Sequence, residues 1–427
     1  MTAAPVRSNG RHPAVSTVSA NSATVEAVRA VVGEERAALV ATLIRLTGDW
    51  DLAEDCVQDA VAQALARWPG YGIPRSPGAW LTTVARRRAL DVLRRRTTEL
   101  AKVQEVALIT APVLEAPDPA DDDRLRLIFT CCHPALALDS RVALTLKTVA
   151  GLSTGEIARA FLVSEPTLSQ RLLRTKHRIA HAGIPYRVPP DDLLAERTGG
   201  VLAVLYLIFN EGYGRPDPRL AGEAVRLSRL LVDLMPQEDE ARGLLALVLL
   251  QEARRATRFD AAGDLVPMEE QDRRRWDRTL VDEGIGQLRR ATASGRPPGT
   301  YRLQAEIAAC HATAPDAGST SWDRIVDLFD LLLQASPSPV VALNRAIAVG
   351  FRDGFEAGLG ELARLDGLDA YPQLATARGD FLRRLGRHAE ARDAYAAALR
   401  LTPSDAPDHG PLVRRLAELP ELPDPGR

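Results

Sequence analysis

The 427-residue chain carries 54 Lys+Arg against 56 Asp+Glu, a formal charge of −2, with 46% hydrophobic and 26% charged residues. That balance fits a globular protein of two or three domains with ample core, and it excludes a uniformly basic tail or wrapper. Four cysteines are too few for a disulfide framework, and the longest apolar runs, Val201–Phe209 and Leu244–Leu250, fall far short of the ~20 residues that span a bilayer. Secreted, membrane and fibrous proteins are therefore excluded, and a reducing, cytoplasmic location is expected.

In chain order, Met1–Ala23 holds Pro, Ser, Asn and Thr without the apolar core of a signal peptide, so residues 1–23 are expected to be a disordered tail. The first clear helical period runs from Leu52 to Trp68, with Leu52, Cys56, Val57, Ala60, Val61, Ala64, Leu65 and Trp68 expected on one face and Glu54, Asp55, Gln58, Asp59, Gln63 and Arg67 on the other. Asp51 followed by Glu54 predicts a capping box at its start, and Pro69, Gly70, Gly72 and Pro74 predict a loop after it. A second helix is expected over about Ala79–Arg96, carrying Arg86, Arg87, Arg88, Arg94, Arg95 and Arg96. Residues 24–100 form the first predicted domain. Residues 101–122, with Glu115, Asp118, Asp121 and Asp122, form an acidic, Pro-rich linker between two basic modules, a pattern that points to nucleic acid contacted in two places.

The second predicted domain, 123–186, contains LSTGEIARAFLVSEPTLSQRLLRTKHR (Leu152–Arg178). Ser153 and Glu156 read as a capping box for a short helix, and Ser164 as the N-cap of a second helix that tolerates Pro166 in its first turn. Leu168, Leu172 and Leu173 are expected inward, leaving Thr167, Ser169, Gln170, Arg171, Arg174 and Lys176 towards solvent. This is the pattern of a DNA-binding helix-turn-helix, its outward face made of donors and small polar groups.

Together these stretches resemble the extracytoplasmic-function (ECF) class of bacterial RNA polymerase sigma factors over about residues 24–186. DLAEDCVQDAVAQALARW (Asp51–Trp68) is similar to the region 2 helix that binds the clamp of the polymerase β′ subunit, which implies polymerase contacts at Glu54, Asp55, Gln58 and Asp59. PGAWLTTVARRRALDVLRRR (Pro77–Arg96) resembles the stretch that engages the −10 element, implying roles for Trp80, Arg86, Arg87, Arg88, Arg94 and Arg95. Such a site needs a basic surface for the strand and a platform for unstacked bases; Trp80 suits either a platform or a core anchor. Arg87 stands where such factors often carry Asn, so the −10 preference does not transfer. Leu152–Arg178 resembles the region 4 helix-turn-helix that reads the −35 element. The partners implied are core RNA polymerase, through the β′ clamp and the β flap, and promoter DNA.

From 191 to 427 the chain turns to Ala/Leu/Arg helices. GDFLRRLGRHAEARDAYAAALRLTP (Gly379–Pro403) has tetratricopeptide-like spacing, and Ala357 lies one 34-residue period before Ala391. The fold class expected is all-α: a region 2 helical bundle, a region 4 helix-turn-helix domain and a tetratricopeptide-like regulatory domain that could hold a regulatory protein. YLIFNEGYGRP (Tyr206–Pro216) resembles a signature of sigma factors with such extensions; Asn210, Glu211, Gly212 and Tyr213 read either as a helix C-cap with Gly212 left-handed or as a contact site. Cys131–Cys132–His133 invites zinc, but adjacent cysteines do not readily converge on one ion and no second pair stands at ligand spacing. No metal, cofactor or catalytic constellation is expected. The alternative from another class is a helix-turn-helix regulator with a peptide- or protein-sensing tetratricopeptide domain that never joins polymerase; it has no need of the Asp51–Arg96 module.

Overall fold

The computed structural model describes residues 14–103, 122–214 and 219–420, and among them it is helical, with only an isolated Phe259–Leu265 bridge and no strand. Two compact units divide at Val204/Leu205. The predicted segments 1–13 and 104–121, the latter most of the acidic linker, lie outside the described residues.

In the first unit, α1 (Ala14–Thr47), α2 (Trp50–Tyr71) and α3 (Pro77–Val103) pack on one another, and α4 (Asp123–Cys131) packs on α1. Helix α1 already covers 14–23, which the sequence reading gave to the tail; no proline interrupts Ala14–Thr47, so nothing there stops the helix. Asp49, not Asp51, caps α2: its carboxylate accepts from the Leu52 amide at 3.0 Å, and it is further tied to Arg96 at 2.9 Å. The helix also runs through Pro69 to Tyr71. A proline in the last turn withdraws only the bond to the Leu65 carbonyl, and Leu65 is exposed, so water can serve that oxygen.

The chain continues through α5 (Leu138–Leu144), a π-helical stretch Thr145–Ala150, α6 (Thr154–Ala160) and α7 (Glu165–His181). Tyr186 closes this part, its hydroxyl 3.0 Å from the Ala41 carbonyl and 3.3 Å from that of Asp123. Asp123 is also held by Arg45 at 2.9 Å and Arg126 at 2.8 Å, so α4 is pinned to α1 by a shared carboxylate. Helix α8 (Asp191–Tyr213) begins in the first unit, where Arg197 donates to the Phe129 carbonyl at 3.0 Å, and ends in the second.

The second unit is a succession of helices, joined by short turns except for the long segment 259–277 that precedes α12: α9 (Arg219–Leu234), α10 (Asp239–Glu252), the single turn α11 (Arg255–Arg258), α12 (Arg278–Thr292), α13 (Thr300–Thr313), α14 (Trp322–Ala335), α15 (Pro339–Asp353), α16 (Phe355–Leu362), α17 (Pro372–Arg384), α18 (His388–Leu401) and α19 (His409–Ala417). Helix α10 is the inner element, covered by α9, α12 and α13, which is why Leu244–Leu250 is apolar on every face. No described helix is long and apolar enough to cross a membrane. In the α17–α18 pair small residues let the helices approach: a Cβ on Gly379 would sit 2.7 Å from the Tyr395 ring, and Ala391, Tyr395 and Ala398 are fully buried.

Candidate functional site

The helix-turn-helix is built as its caps dictate. Ser153 accepts from the Glu156 amide while the Glu156 carboxylate accepts from the Ser153 amide at 2.8 Å, a complete capping box on α6. Leu162 takes the turn at φ +52° with its side chain exposed, a strained conformation for a branched residue. Ser164 then accepts from the Thr167 amide to start α7, with Pro166 in the first turn. Inside, α7 buries Leu168, Leu172, Thr175 and Ile179, a strict i, i+4, i+7, i+11 stripe. Leu173 is 49% exposed, against the inward position expected for it; of the two adjacent leucines only Leu172 falls on the buried stripe.

Thr167, Ser169, Gln170 and Arg174 are exposed, as expected of a reading face. Arg171 is half-buried, its guanidinium 3.7 Å from Asp139. Gln170, Arg171, Arg174 and Arg178 border a groove of about 480 Å³ against Ala135–Ala137 and Ser140; Arg178, part of the basic cluster in the sequence but not of the expected reading face, stands one helical turn beyond Arg174. Lys176 is the exception. Its ammonium points away from that face, donating to Asp51 at 2.7 Å and to Glu54 at 3.2 Å on α2.

Glu54 is correspondingly no surface group: it is 7% exposed, with the Thr148 hydroxyl 3.5 Å away. Asp55, Gln58 and Asp59 remain exposed on α2, and Asp59 accepts from Arg88 at 2.8 Å. On α3, Arg86, Arg87, Arg88, Arg94 and Arg95 are exposed, a basic surface spread round the helix. Trp80 is half-buried, edge-on to the buried Trp68 at 5.5 Å between ring centroids, so its inner edge anchors while its outer edge stays open.

The Lys176–Glu54 pair has a measurable consequence. Burial alone opposes the ammonium, but Glu54 and Asp51 outweigh it and raise the Lys176 pKa above its usual 10.5. A raised folded-state pKa means the contribution is whole below 10.5 and is lost as pH climbs through the higher folded value. Lys176→Met removes the cation hydrogen-bonded to the buried Glu54 carboxylate, with Arg36 and Lys147 still close by, and is expected to cost about 2 kcal/mol in urea unfolding at pH 7. A loss below about 0.5 kcal/mol would reduce the pair to an ordinary surface contact.

Comparison with known proteins places this arrangement. Residues 31–99, spanning most of α1 through α3, match the family model Sigma-70 region 2. SigL of Mycobacterium tuberculosis (strain ATCC 25618 / H37Rv), an ECF RNA polymerase sigma factor, is 31% identical over 147 residues, 34% of this chain and 82% of that protein. The chain belongs to the ECF RNA polymerase sigma factors. An uncharacterized protein of Rhizobium meliloti (strain 1021) is 44% identical over 373 residues, covering 84% of this chain and 88% of its own length. The probable ECF RNA polymerase sigma factor SigI of Mycobacterium tuberculosis is 31% identical over 161 residues, 36% of this chain and 55% of that protein.

The extension of this sigma factor carries a second match, residues 197–292, to a family of unknown function (DUF6596), and Tyr206–Tyr213 lies within it. The C-cap reading of Gly212 is corrected here. Gly212 is helical and buried; a Cβ on it would lie 2.3 Å from the Ala221 amide and 2.8 Å from Leu220, so it is the contact point that lets α9 close on α8. Tyr213 does pack back, stacking on Phe209 at 5.1 Å. Its hydroxyl donates to Gln251 and accepts from Arg254, both at 2.7 Å, with the Arg258 guanidinium 3.7 Å over its ring. Asn210 is exposed and Glu211 half-buried, so the four signature residues do not converge on one point.

Cys131 and Cys132 are buried, and burial drives both thiols upward, Cys132 to about 11 despite its contact with Thr145 at 3.6 Å. Among the described residues no group of three or more His, Cys, Asp or Glu side chains could hold a metal ion.

Proposed function

We propose that this sigma factor binds core RNA polymerase through the exposed α2 face of Asp55, Gln58 and Asp59, and opens the −10 region with the basic surface of α3. In the same reading α7 holds the −35 element with Thr167, Ser169, Gln170, Arg171 and Arg174. The β′ clamp and the β flap are the polymerase surfaces this reading assigns, with the C-terminal helices regulating in the cytoplasm, in a tetratricopeptide-like manner, through a partner protein. The observation that carries it is the division of labour on α7: one buried stripe, and opposite it a face of exposed donors on a helix whose start at the turn is capped by Ser164. Lys176 and Glu54 are left out of the contact sets, because each is committed to the other.

Duplex binding tests it. If Arg171 reads a base edge, Arg171→Ala costs ~1–3 kcal/mol and relaxes preference at one −35 position. A phosphate contact instead weakens all sequences evenly and lowers the salt slope by about one unit. Equal loss over every single-base −35 variant rejects base reading by Arg171.

A further inference from the structure

The second unit contains a half-open hollow of about 490 Å³, the size of an organic ligand site, which the sigma activity does not use. Its floor is aromatic. Trp322 at the start of α14 stacks on Phe351 of α15, centroids 4.4 Å apart and planes 10° from parallel, and Phe381 of α17 meets Phe351 edge-on at 6.3 Å. The site is shaped around that ring: a Cβ on Gly350 would come within 2.4 Å of Phe381.

One wall is made by the segment 259–272, which leaves α11 and fastens to the far end of the chain. The Leu265 amide donates to the Pro407 carbonyl at 2.9 Å, Arg414 of α19 reaches Asp264 at 2.6 Å, and Arg415 lies 3.6 Å from Glu270. Arg384 of α17 pairs with Glu269 from the same segment. A concave helical face that would otherwise run open is thus blocked by a strap, which favours a compact occupant over a threaded peptide.

The charges lining the hollow are nearly all spent on the frame. Glu269 is taken by Arg384, and Asp380 by Arg415 and the Tyr395 hydroxyl. Arg273 donates to the carbonyls of His311 and Ala314 and to the Thr320 hydroxyl. Burial, with Arg254 and Arg273 nearby, lowers the His311 pKa to about 4, so the ring is neutral at physiological pH. Burial likewise raises the Asp408 carboxyl. What remains available is uncharged or weakly polar: the Asn344 and Gln373 carboxamides, and the buried Nδ1 of His311, which has no hydrogen-bond partner. A charged ligand would meet no free counter-ion except Asp408. A flat apolar one would meet stacking surface, with acceptors at its edge.

We propose that this hollow is a binding site for an uncharged, flat organic molecule bearing a hydrogen-bond donor at its edge. The site stands independently of polymerase and DNA, so its test is separate from that of the transcriptional reading.

The full-length protein is titrated with N-phenyl-1-naphthylamine, an uncharged aromatic fluorophore with a flat naphthalene ring and one N–H donor, and in parallel with its anionic relative 8-anilinonaphthalene-1-sulfonate. The expected result is one neutral probe per chain, bound at least tenfold more tightly than the anion, with quenching of tryptophan emission that falls in Trp322→Phe. Ile347→Trp, which fills the hollow, is expected to weaken the neutral probe at least tenfold with the thermal midpoint preserved. Should that variant unfold, Asn344→Ala/Gln373→Ala, which removes only the two free carboxamides, decides with an expected threefold or greater loss. Several equivalent sites per chain, an anion bound as tightly as the neutral probe, affinity unchanged in the folded variants, or displacement of the probe by an unbiased peptide mixture at equal concentration would each overturn the proposal.

Discussion

Replacing both Asp55 and Asp59 with lysine is expected to lower the affinity of this sigma factor for core RNA polymerase by about tenfold or more, which corresponds to ~1.4 kcal/mol. Both side chains are exposed on α2, and neither belongs to the buried stripe of Leu52, Ala53, Cys56, Val57 and Ala60. Reversing two charges at a matched surface replaces attraction by repulsion, a larger penalty than deletion. The fold loses only the Asp59–Arg88 pair, whose two side chains are 49% and 43% exposed, and such pairs are worth ~0–1 kcal/mol. Binding measured against labelled core polymerase, beside a urea titration of the same variant, separates the two effects. Unchanged affinity in the folded double variant removes α2 from the polymerase interface.

A stop codon after Val188 is expected to reduce transcription from a cognate promoter at least tenfold and to destabilise what remains. The reason lies in α8, which is not merely the first helix of the extension. Its N-terminal half belongs to the first unit: Arg197 closes the end of α4 through the Phe129 carbonyl, and Gly200 lies against the Cys132 carbonyl, 3.8 Å from where its Cβ would be. Cutting at Val188 uncovers that end of α4 and leaves its last carbonyls to water. The hydrogen bond from a charged donor alone is worth ~1.5–3 kcal/mol. A stop after Gly214, which keeps α8, should recover the lost stability of the fragment. A folded 1–188 fragment as active as the full chain, or more so, would make the extension inhibitory.

Local chemistry was legible and distant chemistry was not. The Ser153/Glu156 box, the Ser164 cap and the all-α character follow from residues within four positions of one another, and the structure repeats them. Asp49 and Asp51 are two residues apart before the same apolar run, and a pattern without coordinates does not choose between them; Asp49 wins because Trp50 is already helical. Lys176 was placed on the reading face by its neighbours, yet its partners stand 125 and 122 residues away on α2. Gly212 carries the same lesson. Its sequence neighbourhood suggests a cap, while Leu220 and Ala221 across the helix crossing dictate the absence of a Cβ. The strap from 259 to 272 had no sequence signal, since its meaning lies in Arg384, Arg414 and Arg415 more than a hundred residues later.

This chain, by itself, is expected to confer promoter specificity on core polymerase. Core RNA polymerase is mixed with the purified full-length protein on a genomic fragment library, and transcript start sites are mapped. Discrete starts that share a −10 and a −35 element at fixed spacing are expected, absent with core alone and weakened when Arg171 is replaced by Ala. Stable binding to core with no specific start, or starts identical to those of core alone, would contradict it.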